Sequence, residues 1–277
     1  MSVFFASINS GSNGNCYYIG SREHAILVDA GLSCREIEKR LHLLNLPIEK
    51  IRAVFISHEH ADHIKGLARL SERHRLPVFI NQKTRRAARI KLDPKLVYDI
   101  PPEKPVSIGD LSITAFSKSH DAADPYSFIA GLPQLTVGIF TDIGYPCEKL
   151  KQYFSICNAA FLEANYDEDM LENGPYPYIL KQRIRGGSGH LSNTQAAELM
   201  SECRPPFMSH LILSHLSKNN NSPERAQQAF KAHSARIHTH VASRFEPSPV
   251  FSISSSPDSS GISAMPAGKT AQLSLDF

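Results

Sequence analysis

The stretch FISHEHADHIKG, residues 55–66, sets three histidines and two acids into the six positions from His58 to His63. It continues the apolar run AVFIS (53–57), which reads as a buried strand. The polar groups therefore stand at a strand end, where a turn can aim several side chains at one point. Neutral imidazole and carboxylate are the donor set for Zn²⁺, Mn²⁺ or Fe²⁺. His58, His60, Asp62 and His63 supply four such donors, which a solvated histidine-rich loop has no reason to concentrate. A second HxH, His238 and His240 in RIHTHVASR, lacks the added donors. Alternating on a last strand, those two read as structural.

Composition sets wide bounds around this cluster. The chain has 277 residues, enough for one large domain or two small ones. Apolar content of 42% and charged content of 21% are ordinary for a globular protein. A net charge of +3 permits an anionic partner without demanding one. The five cysteines (Cys16, Cys34, Cys147, Cys157, Cys203) form no CxxC pair, which fits reduced thiols. No apolar run approaches the ~20 residues of a membrane span, and the start has no basic segment of a secretion signal. A cytoplasmic protein without a membrane segment is expected.

Outward from the cluster, strands alternate with amphipathic stretches. VFFASI (3–8), CYYIG (16–20) and AILVDA (25–30) read as strands, and residues 33–44 carry Ile37, Leu41 and Leu44 on one helical face. IKGLARLSERH follows the central strand as a helix. PVFIN, VSIGDLSITAFS, YSFIAG, LTVGIFTD, AAFLEA and HLILS add strands, with helices at 193–203 and 222–233. Strand-rich halves closed by helices predict a sheet-on-sheet core with helices outside. From about Phe245 the chain turns Ser- and Pro-rich, a composition too poor in apolar groups to offset ordering. A domain over 1–244 and a disordered, flexible linker over 245–271 are expected.

HxHxDH after a strand resembles the signature of the metallo-β-lactamase superfamily, a four-layer αββα fold of the α/β (α+β) class. The other motifs of that superfamily have counterparts in order: Asp29 in ILVDAG, His120 in SKSHDAADPYSF, Asp142 in GIFTDIG and His215 in LILSHLS. The resemblance implies two divalent ions per chain, zinc or manganese. His58, His60 and His120 would hold one, and Asp62, His63 and His215 the other, with Asp142 bridging. Asp62 would also serve catalysis, and Asp29 would orient ligands without binding metal.

Further stretches narrow the branch. FLEANYDEDML (161–171) and GGSGHLSNTQAAELM (186–200) resemble a paired Glu and His loop of the tRNA-processing ribonuclease Z branch. That pairing implies Glu163 and His190 as a general-acid pair, the carboxylate setting the imidazole's tautomer. SGSNGNCYYI, HEHADHIKG, LEANYDEDML, PYPYILKQRIRGGSGHLSN and LSHLSKNNNSPE together resemble the bacterial YycJ/WalJ group of small exonucleases in this superfamily. The match spans most of residues 5–243 and implies a metal-dependent 5′→3′ DNA exonuclease acting in replication or repair. Tyr166 departs from a histidine frequent in that loop and receives no catalytic role. The 72 residues between Asp142 and His215 leave no room for the large insertion of ribonuclease J-like enzymes.

DNA contact then falls to the domain's own surface. LKQRIRGG (180–187) offers Lys181, Arg183 and Arg185 for phosphates, with Ser192 and Asn193 at a helix start beside them. QKTRRAARIK (82–91) is a weaker basic candidate, since single charge runs are commonly solvated faces. The chain ends QLSLDF, whose Gln272, Leu273, Leu275 and Phe277 resemble the peptide with which bacterial replication proteins bind the β sliding clamp. A final strand docked on the domain is the alternative. The rival to the nuclease reading is a small-molecule hydrolase, a cyclic phosphodiesterase or glyoxalase II-like thioesterase, sharing the same metal set.

Overall fold

The structure is a computed structural model that describes residues 1–233 and 236–255, and the backbone of residues 273–274. Strands β1 (Ser2–Asn9), β2 (Cys16–Gly20) and β3 (Ala25–Val28) open the chain as an antiparallel meander. Helix α1 (Cys34–Leu43) crosses the outer face of that sheet. The Ser33 side chain caps it, accepting from the Glu36 amide at 3.3 Å, and Ile37 and Leu41 are buried. Strand β4 (Ile51–Phe55) pairs in parallel with β3. The helix expected next is two helices, α2 (Ala61–Ile64) and α3 (Leu67–His74). They break at Gly66, where a Cβ would lie 2.0 Å from the Leu32 carbonyl oxygen. Strand β5 (Val78–Phe79), helix α4 (Gln82–Ala88) and strand β6 (Val97–Tyr98) follow.

The second half repeats the plan. Strands β7 (Val106–Ile108), β8 (Leu111–Ser117), β9 (Tyr126–Leu132) and β10 (Leu135–Phe140) form another antiparallel meander. After helix α5 (Glu148–Phe154) the pairing turns parallel through β11 (Ala159–Glu163). Helices α6 (Glu168–Asn173), α7 (Tyr178–Arg185) and α8 (Asn193–Cys203) lead to β12 (His210–Ser214), and α9 (Pro223–Phe230) leads to β13 (His238–Val241). Strand β14 (Phe251–Ser254) returns antiparallel to β1, and β15 (Leu273–Ser274) pairs in parallel with β7. Among the described residues, one sheet runs β14-β1-β2-β3-β4-β5-β6 and the other β13-β12-β11-β10-β9-β8-β7-β15.

Alternation along the strands builds the layers. Ile26 and Val28 face the space between the sheets, with Phe5, Tyr17 and Phe55, and meet Phe128, Ile139 and Phe161 of the other sheet. Leu27 and Val54 point the opposite way, under Ile37, Leu41, Leu67 and Leu70 of the helices. Phe140, Leu162 and Leu213 likewise face Leu150, Phe154, Met200 and Phe230. These three apolar clusters are the interfaces of four αββα layers, as the sequence predicts.

The packed chain runs past the expected boundary at residue 244. Residues 251–254, placed in the linker by their composition, complete a sheet, and both Phe251 and Ile253 are buried. Two apolar side chains at alternate positions suffice when an open sheet edge is waiting. The rest of the expected linker, residues 256–271, lies outside the described residues. Phe251 packs on Phe5 at 5.6 Å between ring centroids, so Phe251→Ala should lower the unfolding free energy by about 3 kcal/mol. Denaturant unfolding measures this; a change under about 0.5 kcal/mol, usual for a surface or linker position, would contradict it.

Candidate metal centre

The candidate residues gather where strands of both sheets end. Asp29 follows β3, His58 to His63 follow β4, His120 follows β8, Asp142 follows β10, and His215 follows β12. Such carboxyl-end crevices are where sheets with parallel strands bind ligands. Asp29, Asp142 and His215 each hold a left-handed backbone, at φ of 64°, 56° and 57°. Non-glycine residues there carry strain on the order of 1–3 kcal/mol each, retained where surrounding structure enforces it. A glycine makes room beside them: a Cβ on Gly31 would lie 1.7 Å from the Asp62 carbonyl oxygen.

Buried Asp29 organises the first group. Its Oδ1 accepts from the Ser57 amide at 2.8 Å, and its Oδ2 from the Ser57 hydroxyl at 2.8 Å. His63 donates Nδ1–H to the same Oδ2 at 2.7 Å, and His58 donates Nδ1–H to the Ser57 oxygen at 2.9 Å. Both imidazoles are thereby locked with Nε2 turned inward. His120 is fixed likewise, its Nδ1–H donated to the Gly189 carbonyl at 3.1 Å. His58 Nε2 lies 3.1 Å from His60 Nδ1, and His58, His60 and His120 form one three-donor group.

Buried Glu163 organises the other side. Its Oε2 accepts from the Ile143 amide at 2.8 Å and the Leu191 amide at 3.1 Å. Its Oε1 lies 3.0 Å from His215 Nδ1 and 2.8 Å from His190 Nδ1, so one carboxylate orients two imidazoles. His215 Nε2 then points to Asp142 Oδ1 at 3.4 Å and Asp62 Oδ2 at 3.7 Å. His63 Nε2 reaches Asp142 Oδ2 at 3.3 Å and Asp62 Oδ2 at 3.6 Å. Asp62, His63 and His215 form the second donor group, and Asp142 neighbours both.

Electrostatics divide the histidines. Burial, with His63 and Lys118 nearby, pushes His58 well below its usual range, and burial takes His120 down to about 4. Burial also opposes charge on His63 and His215. Asp142, Asp29 and Asp62 nevertheless hold His63 high, and Asp142, Asp62 and Glu163 raise His215 to about 10. Burial is likewise outweighed at Asp142, which His215 and His63 hold well below the carboxylate range.

The donor set fits divalent metal. His120 Nε2, Asp142 Oδ2 and His215 Nε2 are buried and make no hydrogen bond, only longer polar contacts of 3.3–3.8 Å within the cluster, which leaves their lone pairs available to an ion. All seven expected ligands meet at this one place. His238 and His240 sit instead on the edge strand β13, with His240 against Phe251.

Two expected substrate contacts also have partners within the chain. The Ser192 hydroxyl accepts from the Gln195 amide as the N-cap of α8, in a capping box. Asn193 is buried in a reciprocal pair with Asn221, at 3.0 and 2.8 Å. Both side chains are buried, and each keeps one donor beyond these bonds, the Ser192 hydroxyl proton and the second Asn193 amide hydrogen. Lys181 donates to the Glu172 carbonyl, Arg183 pairs with Asp121 at 2.5 Å, and Arg185 pairs with Glu172 at 2.5 Å. Such exposed pairs are weak enough for phosphate to compete.

Several members of the centre lie within the motif stretches without showing their role there. Asn15 donates Nδ2–H to Asp62 Oδ2 at 3.2 Å across a separation of 47 residues. Ser57 links His58 to Asp29, and Asn165 donates to the His215 carbonyl at 2.8 Å. Lys118 is a buried cation near the carboxylates, donating to the Thr141 carbonyl. The Asn/Gly-rich turn around Asn15 is the one feature that could have pointed to any of them.

Fold and donor arrangement together define a divalent-metal centre of the metallo-β-lactamase type. A family profile, the Beta-lactamase superfamily domain, matches residues 24–216, and the chain belongs to this superfamily. It is 36% identical over 234 residues to "Exodeoxyribonuclease YycJ" of Bacillus anthracis, covering 83% of this chain and 88% of that one. It is 33% identical over 229 residues to "Exodeoxyribonuclease WalJ" of Streptococcus pneumoniae, covering 80% and 84%. The crystal structure of the metallo-β-lactamase fold protein YhfI from Bacillus subtilis superposes with a TM-score of 0.71 at 18% identity, covering 91% of this chain and all of that one.

Glu163 gives this arrangement a pH signature. Burial opposes its charge, but His190 and His215 hold its pKa down to about 2, below the ordinary glutamate value of 4.5. A carboxylate lowered on folding stabilises the fold above its unfolded pKa and loses that contribution as pH falls through the folded one. Unfolding free energy of metal-stripped protein should therefore fall between pH 4.5 and about 2. Glu163→Gln should be less stable at neutral pH and flatter across this window. Equal acid slopes in denaturant titrations would contradict the assignment.

Proposed function

We propose that this chain is a metal-dependent phosphodiesterase, and within that class a 5′→3′ DNA exonuclease. The carrying observation is the pair of donor groups meeting at Asp142, in a chain whose relatives named as exodeoxyribonucleases align over about four fifths or more of both partners. His58, His60 and His120 would hold one ion, and Asp62, His63 and His215 a second, with the Asp142 carboxylate close to both groups. Zinc and manganese both suit this mixed histidine and carboxylate set. When bound, two such ions supply Lewis acidity toward a phosphodiester and an activated water.

The remaining work falls to the chain's own groups. Asp29, Ser57 and Glu163 keep the imidazoles oriented, so the centre does not reorganise during the reaction. Asp62 lies within reach of both His63 and His215 and orients the attacking water. His190 is the proton donor to the leaving oxygen. Its Nδ1–H is committed to Glu163 at 2.8 Å, so the proton for the leaving oxygen is carried on Nε2 of the doubly protonated ring, whose charge Glu163 balances, and its loss leaves the ring neutral. Its ring lies 5.3 Å from that of His120 and 5.2 Å from that of His215, beside both donor groups. Being only partly buried, it is reachable from solvent. Lys181, Arg183 and Arg185 on α7 exchange their carboxylate and carbonyl partners for DNA phosphates.

The terminal QLSLDF is proposed to bind the β sliding clamp through Gln272, Leu273, Leu275 and Phe277, joined to the domain by a linker that would raise local concentration on DNA. These side chains lie outside the described residues. The backbone of Leu273–Ser274 pairs with Val106–Ser107, so clamp binding would have to displace that pairing.

The test is degradation of 5′-labelled and 3′-labelled DNA and RNA by metal-stripped protein resupplied with Mn²⁺ or Zn²⁺. Directional, metal-dependent DNA loss is expected, abolished in His60→Ala and slowed about 10²–10⁴-fold in His190→Ala. Inert nucleic acids, with a small phosphodiester or thioester still hydrolysed, would favour the small-molecule hydrolase. In the same preparation, deleting residues 272–277 should spare nuclease activity and weaken clamp affinity. Unchanged clamp affinity would remove that part of the proposal.

A further inference from the structure

Away from the centre just described, a cysteine, a glutamate and a histidine converge on the outer face of the first sheet. Cys34 and Glu38 stand one turn apart on α1, and His74 ends α3. Their donor atoms all lie within 4.8 Å of one another. Glu38 Oε1 alone faces three donors: Cys34 Sγ at 3.5 Å, His74 Nε2 at 2.7 Å and Arg73 Nε at 2.9 Å. An exposed surface carboxylate meets water and one mobile cation. This one is met by a thiol and an imidazole from two helices, both partly shielded.

We propose that Cys34, Glu38 and His74 form a separate binding site for a single zinc-class ion, stapling α1 to α3. Thiolate, imidazole and carboxylate are the mixed set zinc accepts, with tetrahedral edges of about 3.3–3.6 Å from bond lengths of about 2.0–2.3 Å. The Cys34–Glu38 separation of 3.5 Å already matches such an edge. The His74–Glu38 contact of 2.7 Å needs to open by about half an ångström, a side-chain adjustment. The thiol proton leaves to solvent, and thiolate plus carboxylate neutralise the ion's two charges. Arg73 is more than half exposed and can swing away from Glu38 as the ion enters. The fourth position is open to water, because Glu38 and His74 line a cavity of about 550 Å³ that also reaches Leu41 and His42.

The proposed site is independent of the proposed reaction, because none of its three residues belongs to the other centre. That centre also offers no sulfur ligand, which gives a clean readout. Co²⁺ is titrated into the metal-stripped full chain while the near-ultraviolet thiolate-to-cobalt charge-transfer band is followed. The band should rise in wild type and in His60→Ala alike, and vanish in Cys34→Ser. His74→Gln should weaken its formation by on the order of 10-fold or more, a lost ligand mattering no less than a lost supporting hydrogen bond. Should Cys34→Ser fail to fold, His74→Gln, at a partly exposed helix end, decides the question. No band in wild type with cobalt bound at the histidine centre would overturn the proposal. So would a band that survives Cys34→Ser unchanged, since another of the cysteines would then be its source.

Discussion

The hydrogen bonds from histidine Nδ1 atoms to Asp29 and Glu163 are the constraint on which the centre depends. Each carboxylate is fully buried, and each is itself anchored by two hydrogen bonds from backbone amides or a serine. Because the anchors are fixed, the imidazoles they hold have one orientation and one tautomer. His63 and His215 therefore present Nε2 to the same place where Asp62 and Asp142 present carboxylate oxygens. A buried carboxylate without such partners would be protonated or expelled. Here it converts burial into direction.

That direction has value only if the two sheets stay in register with each other. His58, His60, Asp62 and His63 come from the first sheet, while His120, Asp142 and His215 come from the second. Neither half carries a complete donor set. Phe55, at the end of the strand that feeds the histidine loop, stacks on Phe79 at 4.6 Å and meets Phe128 of the opposite sheet edge-on at 6.0 Å. Gly31 lets the loop after β3 approach the histidine loop at the Asp62 carbonyl, beside left-handed Asp29. Three of the left-handed non-glycine residues thus stand at the strand ends that carry the donors.

Much of this was legible in the residues. The strand alternation around Leu27, the helical face of Ile37 and Leu41, and the HxHxDH spacing each express a period or a local donor density, which sequence carries directly. The double duty of Glu163 was half legible: its pairing with His190 could be named, but its grip on His215 depends on a contact between residues 52 apart. Asn15 and Asn165 escaped for the same reason, since a lone amide announces no chemistry until the fold supplies its partner. Ser192 and Asn193 went the other way. Their residue types suit phosphate contact and helix capping equally, and the bonds to Gln195 and Asn221 are visible only once the chain is folded. Residues 251–254 were missed because composition averages over a window, while a strand needs only two inward side chains and an unpaired edge.

The central claim is that one chain builds two adjoining metal positions sharing Asp142. Anomalous diffraction from crystals of the full chain, collected at the zinc or manganese edge after loading, addresses it most directly. Two peaks are predicted in the crevice. One should lie among His58, His60 and His120, the other among Asp62, His63 and His215, with Asp142 in contact with both. A single peak, or peaks that leave His120 Nε2 and His215 Nε2 without a metal neighbour at full loading, would contradict it.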